Sequence, residues 1–110
     1  MTTADEVVGL RIDAATLTEI GKLCRRFHVR RLDIFGSAAR ADFDSARSDV
    51  DLVVDFEPDA RLGMFGYMEF VDALEMLFGR HVDLVNDPAV ENPYLRQAIE
   101  DDRRPLFSAQ

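Results

Sequence analysis

The chain has 110 residues, enough for one domain, and 47% of them are hydrophobic, which suffices for a buried core and argues against a disordered chain. Its 13 basic and 21 acidic residues give a formal net charge of −8. This charge argues against a domain that binds nucleic acid through the phosphates, because such binding surfaces are basic. It does not exclude binding of a nucleotide, since a bound metal ion can supply the positive charge.

The first predicted helix follows a lead-in over residues 1–12, and residues 13–110 form a single predicted domain. Either Asp13 or Thr16 can cap this helix, and Glu19 would complete a capping box with Thr16. Cys24 lies on the apolar face of the helix and is interpreted as a small buried hydrophobe. As the single cysteine, it cannot form an internal disulfide.

Extended and helical segments alternate along the rest of the chain. A valine-rich strand is predicted at 50–56, and a long helix is predicted at 62–78, where Gly79 ends it. The other segments are strands at 31–35 and 81–85, a turn at 86–88, a short helix at 94–99 and an extended piece at 105–107. This alternation predicts an α/β (α+β) fold with a small mixed β-sheet packed against helices.

The sequence predicts neither secretion nor membrane insertion. Residues 1–8 carry acids and lack the basic region that precedes the apolar run of a signal peptide. No segment approaches the roughly 18 apolar residues of a membrane-spanning helix. We therefore expect a soluble, cytoplasmic protein with no membrane partner.

Three aspartates interrupt the apolar strand segments. Asp49 and Asp51 are two residues apart at the start of strand 50–56, so their side chains are expected on the same side of the sheet. Asp83 lies inside the next apolar strand, and if the two strands are neighbours the three carboxylates converge. Carboxylate oxygens suit Mg²⁺, and such a set can hold two ions about 3.5–4 Å apart for an in-line phosphoryl displacement.

Gly36 and Ser37 follow the first strand at a predicted turn. Glycine permits a close backbone approach to a ligand, and a serine at the start of a helical turn offers a hydroxyl and an N–H to phosphate oxygens. Arg40 is a further candidate for phosphate binding, although bracing of the loop by a nearby aspartate is slightly favoured. Ser48 is a further candidate for nucleotide binding. The favoured alternative is that it only begins the strand, with its hydroxyl capping the preceding loop.

The stretch from Gly36 to Val54, GSAARADFDSARSDVDLVV, resembles the signature of the nucleotidyltransferase superfamily that includes DNA polymerase beta. The signature consists of Gly-Ser, a loop, an Asp-x-Asp pair and a third acid on a later strand. More narrowly, the stretch is similar to the minimal nucleotidyltransferase (MNT) proteins, which are short, stand-alone versions of this fold. The resemblance covers roughly residues 30–107 and is specific for a short motif.

The resemblance implies a role for each matched residue. Asp49, Asp51 and Asp83 would hold two Mg²⁺ ions, and Asp83 would also help to deprotonate the acceptor hydroxyl. Gly36 and Ser37 would hold the triphosphate of the nucleotide. The implied reaction is Mg²⁺-dependent transfer of AMP from ATP, with pyrophosphate leaving.

The resemblance also implies a partner. Many MNT proteins are antitoxins of small HEPN-domain toxins, and in that family AMP is transferred to a toxin tyrosine. A HEPN toxin is therefore the expected partner, in a possible hetero-oligomer, with ATP as the substrate and no direct contact to nucleic acid.

Two other functions stay open at this point. The protein could adenylylate a small molecule such as an aminoglycoside, or it could neutralise its toxin by occlusion without catalysis. His28 and His81 lack the sequence spacing of metal ligands and are interpreted as structural or solvated, and Arg103 and Arg104 as a solvated pair.

Overall fold

A four-stranded sheet and three α-helices make up the computed structural model, which describes residues 12–39 and 49–109. The elements in chain order are α1 Ala14–Arg26, β1 Val29–Phe35, a 3₁₀ turn Gly36–Ala39, β2 Val50–Phe56, α2 Gly63–Phe78, β3 Val82–Asn86, a 3₁₀ turn Asp87–Ala89, α3 Pro93–Asp102 and β4 Arg104–Ser108. The predicted mixed α/β fold is confirmed. Of the helices in the described residues, none is both long and apolar enough to cross a membrane.

The order of the strands brings three chain segments to one end of the sheet. The order is β3-β2-β1-β4, with β1 antiparallel to β2 and β4, and β2 parallel to β3. The carboxyl end of β1 therefore lies beside the amino ends of β2 and β3. In register, Phe35 pairs with Asp51 and Asp51 pairs with Asp83.

Both faces of the sheet are covered, which explains why β2 is apolar throughout. Alternate β2 residues, such as Leu52 and Val54, pack with α1 and α2 in the larger core cluster. Val53 points to the other face, where it packs with Phe35 and with Ile99 of α3. A strand that is covered on both sides carries the continuous apolar sequence seen in β2.

Helix α1 is capped by Asp13, whose Oδ1 accepts a hydrogen bond of 2.8 Å from the backbone N–H of Thr16. The alternative capping box of Thr16 and Glu19 is wrong, because Thr16 already lies inside the helix. At the end of α2, the predicted stop is confirmed. Gly79 adopts a left-handed conformation, and its N–H donates to the carbonyl of Glu75.

A network of ion pairs connects the C-terminal end of α3 to β1, on the face of the sheet that α3 covers. Arg103, which follows α3, donates from Nε to Oδ2 of the fully buried Asp33 at 2.6 Å, and a second nitrogen contacts Asp87 at 3.2 Å. Arg31 also pairs with Asp33, at 2.9 Å. The interpretation of Arg103 as a solvated residue is therefore wrong, since its side chain is only 13% exposed and holds a buried carboxylate.

Candidate active site

The predicted acidic residues lie at the end of the sheet where β1 ends and β2 and β3 begin. Asp49 immediately precedes β2, Asp51 is the second residue of β2, and Asp83 is the second residue of β3. Parallel pairing places Asp51 directly opposite Asp83. The topology thus places the three aspartates at one end of the sheet: ligand atoms of Asp49 and Asp83 lie within 4.8 Å of each other, and Asp51 is next to Asp83 by strand register.

Gly36 meets Asp51 at the point where β1 turns away from the sheet. Its backbone has a φ of +71°, which side chains other than glycine rarely adopt. A Cβ at this position would lie 2.5 Å from Oδ2 of Asp51. Glycine is therefore favoured here for two reasons: the positive φ of the backbone, and the lack of room for a Cβ next to the Asp51 carboxylate.

This double requirement gives a prediction for stability. Gly36→Ala is expected to lower the free energy of unfolding by about 2–3 kcal/mol, from left-handed strain of about 1–2 kcal/mol plus displacement of the Asp51 side chain. Gly79→Ala is the matched control, because Gly79 has a similar φ of +68° and no atom within 4 Å of the added Cβ. Urea unfolding of the two variants measures the difference. Equal losses of unfolding free energy would contradict the predicted clash between a Cβ at position 36 and Asp51.

Ser37 is the second residue of the 3₁₀ turn that follows β1, and it is partly exposed. Ala38 and Ala39 of the same turn are buried and fix the turn against the core. Ser37 therefore lies in the turn directly after Gly36, and its assignment to the triphosphate stays a prediction. The two other candidates for nucleotide binding, Arg40 and Ser48, lie outside the described residues.

A histidine joins the acids. Ligand atoms of Asp49, His81 and Asp83 all lie within 4.8 Å of one another, and all three residues are exposed. The backbone N–H of Val50 donates to the carbonyl of His81 at 3.0 Å, which extends the β2–β3 pairing by one position and sets Asp49 beside His81. His81, which the sequence indicated to be structural or solvated, is indeed exposed, and the fold brings it into a group of residues that could hold a metal ion.

The His81 ring lies between two carboxylates. Its Nε2 is 3.3 Å from Oδ1 of Asp83, and its Nδ1 is 3.1 Å from Oε2 of Glu75. The hydrogen bond to Asp83 is the main cause that raises the pKa of His81 above its usual value, and the charges of Asp49 and Glu75 act in the same direction. Sequence spacing contained this signal, because His81 precedes Asp83 by two residues, as Asp49 precedes Asp51.

Comparison with known proteins identifies relatives over most of the chain. A family model described as "Nucleotidyltransferase domain" matches residues 17–106. The chain is 35% identical over 80 residues to protein adenylyltransferase MntA of Thermococcus cleftensis, covering 73% of this chain and 78% of the relative. It is 32% identical over 95 residues to a Methanocaldococcus jannaschii protein provisionally named a protein adenylyltransferase, covering 79% and 94%.

Solved structures show the same fold. A protein provisionally described as a minimal nucleotidyltransferase superimposes with a TM-score of 0.67 at 33% identity, over 83% of this chain and 89% of that one. A chain from a toxin–antitoxin crystal structure with AMP-PNP superimposes with a TM-score of 0.66 at 24% identity, over 86% and 74%. At this lower identity the second comparison supports the fold alone.

Proposed function

This chain belongs to the nucleotidyltransferase domain family, and we propose on that basis that it transfers AMP from ATP to a hydroxyl group of a partner protein. The observation that carries the proposal is the meeting of Asp51, Asp83 and Gly36 at one end of the sheet. Acids from two neighbouring strands are what a nucleotide with its metal ions requires, and the glycine turn packs against one of them.

The residues present fit divalent metal ions. Asp49, Asp51 and Asp83 offer only carboxylate oxygens, the ligand type that Mg²⁺ prefers, and we assign them to hold it. When bound, the ions would neutralise charge on the phosphates and on the attacking and leaving oxygens. Because Gly36 has no Cβ, the carboxylate of Asp51 can pack directly against the turn and keep its position.

The proposed reaction is a displacement at the α-phosphorus of ATP. The oxygen of the acceptor hydroxyl forms the new P–O bond, the bond between the α-phosphorus and the bridging oxygen breaks, and pyrophosphate leaves with that electron pair. Asp83 receives the hydroxyl proton in this scheme. Gly36 and Ser37 hold the triphosphate in line, so positioning and charge neutralisation supply most of the catalysis.

We propose a HEPN-family toxin as the partner and a tyrosine as the acceptor. The choice of a HEPN toxin and of a tyrosine follows from the resemblance to the MNT antitoxins, and two observations support a protein hydroxyl as the acceptor. A relative at 35% identity is named protein adenylyltransferase MntA, and the site is open, with Asp49 and Asp83 both exposed to a hydroxyl presented from outside. The protein would then act as the antitoxin of that toxin.

Intact-mass spectrometry of the toxin tests the proposal. The toxin would be the HEPN protein encoded beside this chain, incubated with this protein, ATP and Mg²⁺. We expect a gain of one or more AMP units, and fragmentation should place them on tyrosine. A stable complex without any gain in mass would contradict transfer and favour an antitoxin that acts by occlusion, whereas turnover of an aminoglycoside by this protein alone would favour a small-molecule transferase.

A further inference from the structure

We propose that His81 contributes its Nε2 as a nitrogen ligand to the metal site, in addition to the carboxylates, an inference that rests on the proposed function. Nε2 is the ring atom directed toward the acids, at 3.3 Å from Oδ1 of Asp83. The family signature on which the site was assigned names only the aspartates. His81 would therefore make the donor set of this chain a mixed one, with both oxygen and nitrogen.

The distances fit one shared ion. Two ligand atoms that each lie about 2.1 Å from an ion are at most about 4.2 Å apart. The ligand atoms of Asp49, His81 and Asp83 lie within 4.8 Å of one another, so small side-chain rotations bring all three into range. All three side chains are exposed, and such rotations are not opposed by core packing.

Glu75 supplies the second, independent observation. Its Oε2 lies 3.1 Å from Nδ1 of His81 and also accepts a hydrogen bond of 3.0 Å from the backbone N–H of Val82. A metal-binding histidine almost always donates its other ring N–H to a carboxylate or carbonyl, which fixes both the tautomer and the orientation of the ring. Glu75 is thus a positioning residue: it ties the end of α2 to the start of β3 and leaves Nε2 facing Asp83.

A nitrogen ligand has a consequence for the choice of ion. Mg²⁺ prefers oxygen ligands and keeps several waters, whereas imidazole is a good ligand for transition-metal ions. We therefore expect His81 to strengthen the binding of first-row transition-metal ions, including Mn²⁺ as the weakest of them, more than the binding of Mg²⁺.

Binding of Mn²⁺ to the full chain, followed by electron paramagnetic resonance, tests the proposal without any assay of activity. In pulsed electron paramagnetic resonance, the echo decay of the bound Mn²⁺ should carry the modulation that a coordinated imidazole nitrogen produces. His81→Ala should abolish that modulation and weaken Mn²⁺ binding by about tenfold or more. Competition of Mg²⁺ with bound Mn²⁺ measures the Mg²⁺ affinity. The His81→Ala variant should change this affinity by less than about threefold.

His28→Asn is the matched control, because it removes the other histidine, which is exposed, while asparagine tolerates the φ of +60° at that position. Its nitrogen signal and Mn²⁺ affinity should equal those of the original protein. Mn²⁺ binding that needs Asp51 but shows no nitrogen modulation and survives His81→Ala would overturn the role of His81 and leave the proposed function standing. Mn²⁺ binding that is absent, or indifferent to Asp51→Asn, would overturn both.

Discussion

Asp51→Asn is expected to slow AMP transfer by at least about a thousandfold, which corresponds to about 4 kcal/mol of transition-state stabilisation. Asparagine has nearly the same shape, so the packing against Gly36 and the pairing with Phe35 and Asp83 should persist. The lost charge removes one of the three carboxylates assigned to the proposed metal site. Initial rates of label transfer from radioactive ATP to the toxin measure the effect.

Asp55→Asn is the control for this experiment. Asp55 lies on the same strand and the same face, four residues further along and therefore about 13 Å from the site. It pairs with the half-exposed Arg30 at 2.6 Å, and solvent screens this contact so that it adds little to stability. Its transfer rate should stay within about twofold of the original. Comparable losses in both variants would show that general charge, not the site, governs the rate.

The features that sequence predicted well are those set by local patterns. Strand β2 was placed at Val50–Phe56 because its apolar run is bounded by a polar loop and Pro58, and α2 ends where Gly79 permits a left-handed turn. The strand ends were less accurate: β1 begins at Val29 and not at residue 31, since pairing with β2 continues past an irregularity at its start. At the start of β1 this pairing joins Val29 to Phe56, which lies 27 positions further along the chain.

The features that sequence reasoning missed depend on contacts between distant elements. Arg103 and Asp33 are 70 positions apart, and nothing near Arg103 in the chain shows that α3 will deliver it to a buried acid. His81 was missed for a related reason. Its place beside Asp49 appears only when the register of β2 and β3 is known, although its alternation with Asp83 was already visible in the sequence.

The buried pair of Arg103 and Asp33 leads to the largest expected change in stability. Arg103→Ala should lower the free energy of unfolding by about 3 kcal/mol, because it leaves a buried carboxylate without its closest cation. Asp33 is fully buried, and its Oδ1 has no hydrogen-bond partner among the described residues, so the charge depends on what reaches Oδ2. Arg31 stays in place at 2.9 Å, but its side chain is half exposed and compensates only in part. Urea unfolding monitored by circular dichroism measures the loss.

Arg104→Ala provides the comparison, because Arg104 is the adjacent residue, carries the same charge and is exposed. It should change stability by no more than about 0.5 kcal/mol. Replacing both members of the buried pair, as in Asp33→Leu with Arg103→Met, should cost less than Arg103→Ala alone, because no charge is then left buried without a partner. If Arg103→Ala and Arg104→Ala proved equally mild, Arg31 alone would be sufficient for Asp33, and the attachment of α3 to β1 would have to come from the apolar contacts of Ile99 with Phe35 and Val53.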